Sequence, residues 1–412
     1  MKISFSELLG SISYALDCVE HDLVGVTTYH SKRVAYLVLC LGKEMGMTSE
    51  EVVDMVACAV LHDNALTEYA QEEYQKKVNV HEEREVDSAG RHCIIGERNV
   101  RYIPFQTNVE NVILYHHENA DGSGPFHKKE SETPIMAQLI HIADSIDAGF
   151  DLSFVDRKKY EKILKYVKEN ENLLFSETCV TVFQKVVTLE MLHNMQGTKI
   201  SLMLSESMPY DEREYSNEQM KEFAALFAKI IDFKSNFTMY HSIGIAQKAE
   251  KMGHFYGYDE ETCTKLYVAG ALHDIGKLVV DKDVLEKPEK LTDEEYKHIQ
   301  NHAFYTYDIL RKVRGLEDIT SWASLHHEKL NGKGYPFGKT AEELGKFERL
   351  MACIDIYQAL YEKRPYKEGL SHEETMKILW DMANNGFIDS QIVNDIDKVF
   401  QNTEVSSIER MK

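Results

Sequence analysis

Along most of the chain Leu, Ile, Met and Ala return every three or four residues, the period of an amphipathic helix rather than of a strand. Between 216 and 235, Met220, Phe223, Ala224, Phe227, Ile230 and Ile231 fall on one stripe, and Ser216 with Gln219 offers a reciprocal cap at its start. Thr292 with Glu295 marks the start of another helix, which runs through His302. Only 7 prolines interrupt 412 residues, so the pattern predicts a mostly α protein. The stretch 161–215 has a different texture. There Cys179-Val180-Thr181-Val182 and Lys199-Ile200-Ser201-Leu202-Met203-Leu204 read as short β-like runs, and Met208-Pro209 opens a polar, turn-rich joint. It is expected to form a small β-hairpin lid or a plain connector.

A second pattern operates at the scale of a whole domain. Thr27-Thr28-Tyr29-His30 returns as Thr238-Met239-Tyr240-His241, and Leu61-His62-Asp63 returns as Leu272-His273-Asp274. His92 matches His302, His116-His117-Glu118 matches His326-His327-Glu328, and Asp144 matches Asp355, all at offsets of 210 or 211. Seven metal-type side chains in one order, twice over, mark a tandem duplication. The expected organisation is two helical domains, 1–160 and 216–412, joined by 161–215.

Charge and composition narrow the function. A net charge of −21 argues against a chain built to grip a nucleic-acid polymer or an anionic membrane, both of which need a basic face. A small phosphate ligand held by metal ions is compatible with it, because local positive charge can sit inside an acidic shell. The 7 cysteines are scattered without C-x-x-C spacing, which reads as reduced thiols of a cytoplasmic protein. The N-terminal segment reads as an amphipathic helix, and no apolar run is long enough for a membrane span.

In the second copy His241, His273, Asp274, His302, His326, His327 and Asp355 supply five imidazoles and two carboxylates. Such a set suits transition ions such as iron, manganese, zinc or nickel better than Mg or Ca. If Asp274 bridges, seven side chains give each of two ions four contacts and leave room for a hydroxide and substrate oxygens. Two metals about 3.5–4 Å apart are a common device for in-line attack on phosphorus. The first copy offers His30, His62, Asp63, His92, His116, His117 and Asp144 as a second centre of the same kind. His298 lies four residues before His302 but has no counterpart in the first copy, and His21-Asp22 falls outside the repeat register. His298 is read as part of a solvated face, and His21-Asp22 is discounted.

The order H…HD…H…HH…D resembles the HD superfamily of metal-dependent phosphohydrolases. The second copy resembles its HD-GYP branch through His273-Asp274-Ile275-Gly276-Lys277, Lys287-Pro288 with Leu291-Thr292, His326-His327-Glu328, Asn331-Gly332-Lys333-Gly334-Tyr335-Pro336 and Arg364-Pro365-Tyr366-Lys367. That resemblance spans about 226–400. The first copy shares only its ligands and the segment from His116 to Gly124. The resemblance implies a helical domain around a metal centre that opens cyclic di-GMP or a relative such as 3′,3′-cyclic GMP-AMP. It assigns His241, His273, Asp274 and Asp355 to one ion and Asp274, His302, His326 and His327 to the other. Some members add a third metal through a Glu four residues before the first His. Phe237 and Val26 stand there, so two metals are expected. Gln358 also departs from the Asp usual in the family's D-x-x-D-A-L run.

Lys277, just past His273-Asp274, is positioned to neutralise charge on a phosphate oxygen. Gly332, Gly334, Tyr335 and Pro336 form a tight loop beside two ligands, where backbone can approach substrate or simply turn. Arg364 and Lys367 are candidates for the distal phosphate and guanine, with a purely structural role equally open. In the first copy Leu66 replaces Lys277, Gly124 runs directly into Pro125, and Ser153 falls near the Arg364 position. The N-terminal domain is therefore expected to bind metal and turn over cyclic dinucleotide poorly. It is expected to act structurally or by regulation, through HD–HD pairing within the chain or a homodimer.

The leading function is a cyclic-dinucleotide phosphodiesterase. The alternatives are an HD-type nucleotide phosphohydrolase, against which Lys277 and the loop argue, an HD-type oxygenase, which has no need of a phosphate-binding Lys, and a non-catalytic module sensing cyclic dinucleotide or metal.

Overall fold

The helical period carries through to the architecture. The computed structural model describes residues 1–66, 68, 69, 88–209, 211–234, 241–287, 289–362 and 368–401. Among them are 18 α-helices and one two-stranded sheet. The chain divides into two compact units, 2–214 with 312–314, and 215–311 with 315–412 and Met1.

The N-terminal unit contains α1 (Phe5–Val24), α2 (His30–Glu44), α3 (Ser49–Val60), α4 (Ser88–Val100) and α5 (Ile135–Phe150). It continues with α6 (Arg157–Glu169), α7 (Glu177–Val186), α8 (Leu189–Asn194) and α9 (Lys199–Ser207). Strand β1 (Lys2–Ile3) pairs antiparallel with β2 (Arg213–Glu214), Ile3 opposite Arg213. Helix α2 is the hub, packed on α1, α3, α5, α7 and α9. Its Val34, Leu37, Val38 and Leu41 are buried at helical spacing.

The C-terminal unit contains α10 (Asn217–Lys234), α11 (His241–Phe255), α12 (Glu260–Leu272), α13 (Lys282–Leu285) and α14 (Asp293–Leu310). It closes with α15 (Glu317–Ser324), α16 (Lys346–Tyr361), α17 (His372–Asn384) and α18 (Ser390–Phe400). The stripe read on α10 is buried in full. Ser216 and Gln219 exchange hydrogen bonds at 3.0 and 3.2 Å, and Thr292 with Glu295 forms the capping box of α14. No helix of the described residues is long and apolar enough to cross a membrane.

The β-like reading of 161–215 is corrected. Cys179-Val180-Thr181-Val182 lies inside α7, capped by Ser176, and Lys199-Ile200-Ser201-Leu202-Met203-Leu204 lies inside α9. Burial of Cys179, Val180 and Phe183, and of Ile200 and Leu204, follows a helical spacing, so packing overrides the strand preference of the β-branched residues. Among the described residues of this stretch, Arg213–Glu214 alone is strand.

One close approach fixes the ligand geometry. After α12 the chain makes a short 3-10 turn, Ile275–Val279, whose Gly276 lies so near α14 that a Cβ would fall 2.0 Å from the His302 carbonyl oxygen. Gly276 N donates to Thr306 Oγ1, which donates in turn to the His273 carbonyl. In the N-terminal unit the bare position changes sides. Ala65 stands for Gly276, and Gly96 on α4 stands for Thr306, with a Cβ there 3.2 Å from Asn64 Nδ2.

Candidate metal centres

In the C-terminal unit the seven predicted ligands converge from five places: the start of α11, the end of α12, the middle of α14, the turn after α15 and the middle of α16. Asp274 sits between imidazoles. Its Oδ2 is 3.0 Å from His273 Nε2, while its Oδ1 is 3.3 Å from His302 Nε2 and 3.9 Å from His326 Nε2. Asp355 Oδ1 is 3.4 Å from His241 Nε2 and 4.0 Å from His273 Nε2, and its Oδ2 is 3.7 Å from His327 Nδ1. Donor atoms of His241, His273 and Asp355 cluster tightly, as do those of His302, His326 and His327 and those of His273, Asp274 and His326.

The N-terminal unit repeats the arrangement. Asp63 Oδ2 is 3.6 Å from His62 Nε2, and its Oδ1 is 3.3 Å from His92 Nε2 and 3.9 Å from His116 Nε2. Asp144 Oδ1 lies 3.2 Å from His30 Nε2 and 3.8 Å from His62 Nε2, with Oδ2 3.9 Å from His117 Nδ1. This centre holds one donor that sequence reading missed. Cys93 Sγ comes within 3.5 Å of His92 Nε2 and 3.7 Å of His116 Nδ1, whereas Ala303 stands at that position in the other copy.

Helix geometry fixes the ring orientations. His62, His116, His273, His302 and His326 each turn Nδ1 onto the carbonyl oxygen three residues earlier, at 2.6–2.8 Å. An Nδ1–H committed to a carbonyl leaves Nε2 as a lone-pair donor pointing inward. His62, His116 and His273 Nε2 and Asp274 Oδ1 are buried and make no hydrogen bond. Buried polar atoms left unpaired are costly, and a bound cation would satisfy them together.

Electrostatics point the same way. Burial opposes the charges of Asp274 and Asp355, yet His273 with Lys277 and His241 with His327 hold both well below the usual carboxylate range. Burial pushes His326 and His116 well down and His302 down to about 3, so these rings are neutral. His241 runs the other way, as do His30 and His62 in the first copy, where neighbouring carboxylates outweigh burial. Asp355 and Glu362 raise His241 to about 9, so a metal entering there displaces a proton. Neutral imidazoles with ionised carboxylates are the donor set of a transition ion, and the residues fit one.

Of the residues expected to meet substrate, Lys277 is partly exposed and donates to Asp274 Oδ2. Leu66 is buried in its place in the first copy. Tyr335 lays its ring 4.7 Å from that of His327. Gly334 admits no side chain, since a Cβ would meet Glu328 Cα at 2.4 Å. Arg364, Lys367 and Phe237 lie outside the described residues. His298 pairs with Asp281 at 3.3 Å, and exposed His21 bonds the Val26 carbonyl.

The glutamate after each His-His pair is a loop anchor that sequence reading passed over, although its repetition was a signal. Glu328 accepts from the backbone N–H groups of Phe337, Gly338 and Lys339. Glu118 accepts from those of Phe126 and Lys128. The two loops thus share one frame and differ in length by a single residue, Tyr335, whose insertion turns the repeat offset from 210 into 211.

Comparison with known proteins follows the same outline. The 3'3'-cGAMP-specific phosphodiesterase 1 of Vibrio cholerae is 29% identical over 396 residues, 93% of this chain and 89% of the relative. A cyclic di-GMP phosphodiesterase of Pseudomonas aeruginosa is 33% identical over 160 residues, 38% of this chain and 37% of the relative. The crystal structure of a cyclic GMP-AMP-specific phosphodiesterase from V. cholerae shares the fold at a TM-score of 0.67 and 21% identity, covering 98% of this chain and 99% of that one. The profile described as "HD domain" matches twice, at 21–172 and 225–392, once over each set of seven ligands, and the chain belongs to the HD domain family.

Proposed function

We propose that this chain is an HD-GYP-type phosphodiesterase whose C-terminal centre hydrolyses a 3′,5′-phosphodiester of a cyclic dinucleotide, cyclic di-GMP or 3′,3′-cyclic GMP-AMP, to the linear dinucleotide or on to mononucleotides. The relatives' names support the substrate class. His241, His273, Asp274 and Asp355 would hold one ion, iron or manganese first, and Asp274, His302, His326 and His327 the other. Bound there, such ions supply an acidified water and a Lewis-acid pull on the phosphoryl oxygens.

The chain's own groups do the rest. Asp274, kept ionised, serves both ion sites. The Lys277 ammonium, partly exposed beside it, turns toward a phosphate oxygen and offsets the charge that develops there. Gly334 keeps the loop backbone against Glu328, and Tyr335 packs at a tilt against His327. Arg364 and Lys367, outside the described residues, stay candidates for the distal phosphate and a guanine, with a structural role equally open.

Lys277 carries the reading. Both copies have the full ligand set, and among the described residues Lys277 places a cation on the carboxylate of the second, where buried Leu66 stands in the first. For the same reason the first copy is read as a metal-holding accessory with little turnover. The test is to reconstitute protein purified without chelator with Fe(II) and with Mn(II). Both cyclic dinucleotides are then followed by chromatography, beside Asp274→Ala and Asp63→Ala. Cleavage lost in the first variant and kept in the second is expected. Absence of cleavage of either substrate with both metals bound overturns the reading.

A further inference from the structure

The two copies hold their first ligand histidine by different means. In the N-terminal unit His30 Nδ1 donates to Asp147 Oδ2 at 2.6 Å, and Asp147 is clamped by Arg33, from Nε at 2.6 Å and Nη2 at 2.8 Å. All three side chains are buried. A carboxylate on the far nitrogen fixes the ring's tautomer and angle and raises its basicity toward a metal.

Neither Asp147 nor Arg33 has its equivalent in the C-terminal unit. Asp147 becomes Gln358 and Arg33 becomes Gly244. Gln358 bonds Lys248 at 2.6 Å, one turn along α11 from Gly244, and its amide fills the space over Gly244. A Cβ at Gly244 would lie 2.3 Å from Gln358 Nε2, so an arginine at 244 would have to displace the Gln358 amide. His241 is nevertheless not left without a partner. Its Nδ1 donates at 2.9 Å to Glu362 Oε2, a carboxylate delivered from just past the end of α16. The Glu362 side chain is 10% exposed.

We propose that Glu362 is a positioning residue for the C-terminal metal centre, taking over for His241 the role that the Arg33–Asp147 pair performs for His30. The assignment rests on the reading of His241 as a metal ligand. Three changes compensate one another: the carboxylate moves from the i+3 position after the last ligand to i+7, the arginine is lost, and Lys248 with Gln358 fills the vacated space. The C-terminal orienting carboxylate therefore stands on the exit of its helix, four residues beyond the N-terminal one's position.

The test measures Mn(II) affinity by competition with a chelator in the full chain carrying Asp63→Ala, so that the C-terminal centre dominates the signal. Glu362→Ala is expected to weaken Mn(II) binding by about 10–100-fold, the usual effect of removing such a partner. Glu362→Gln, which still accepts the hydrogen bond without the charge, is expected to fall between. Adding Gln358→Asp to Glu362→Ala, with and without Gly244→Arg, rebuilds the N-terminal arrangement and is expected to recover most of the loss. Unchanged affinity in Glu362→Ala overturns the proposal, and so does a loss that Glu362→Gln and the rebuilt set both fail to reduce. His241→Ala is the separate control. If it leaves Mn(II) binding intact, the ligand assignment has failed rather than the role of Glu362.

Discussion

Asp274 and His302 approach through Oδ1 and Nε2 at 3.3 Å, the distance that also separates Asp63 and His92 in the other copy. In both, the second carboxylate oxygen faces the preceding histidine. An aspartate with imidazoles on both oxygens is the residue that, under the proposed function, would serve two cations.

Asp274→Asn is therefore expected to lower metal content at the C-terminal centre and reduce turnover by two orders of magnitude or more. Asp63→Asn is expected to lower total metal while leaving turnover within about threefold. Elemental analysis beside a steady-state assay checks both.

Lys277→Met removes an ammonium that can meet a developing phosphate charge. The expected loss is about 10²–10³ in kcat with a smaller change in KM, the pattern of an interaction made mainly in the transition state. Metal content measured alongside separates this from a role limited to holding Asp274.

Glu328→Ala strips one buried carboxylate from three backbone N–H groups. Charged hydrogen bonds of this kind carry about 1.5–3 kcal/mol each, part of which returning water replaces, so a loss of about 3 kcal/mol is expected. Thermal unfolding of the metal-free protein reads it as a lower Tm.

Burial pushes the Asp232 carboxyl up to about 7, against the hydrogen bonds it accepts from Ser242 N and Oγ. The folded chain then binds more protons than the unfolded one between about pH 4 and 7. This group's contribution to stability is greatest at the acid end and falls as pH rises through that window, by up to about 4 kcal/mol. Asp232→Asn should flatten this part of the pH profile. Chemical denaturation of chelated protein at pH 5 and pH 7.5 gives the comparison.

The ligand order and the helical stripes were legible because each depends on local spacing, and the duplication printed that spacing twice. The caps at Ser216 and Thr292 were equally local. The strand reading of Cys179–Val182 failed because four β-branched or small residues say little about the core that receives them. Glu362 was beyond reach for another reason. Nothing near it in sequence shows that it meets His241, 121 positions earlier. The departure at Gln358 was visible, but what filled its role depends on how α11 and α16 pack.

The loop frame anchored by Glu118 and Glu328 has a consequence for how the copies diverge. The loop starts at the glutamate and its far end is hydrogen-bonded back to that carboxylate, so a residue can enter or leave between the second glycine and the proline without releasing the far end. One codon decides whether an aromatic ring is delivered beside the last histidine pair. The scaffold thereby separates what it presents to a ligand from what keeps it folded, and each copy can change the first while the other stays intact.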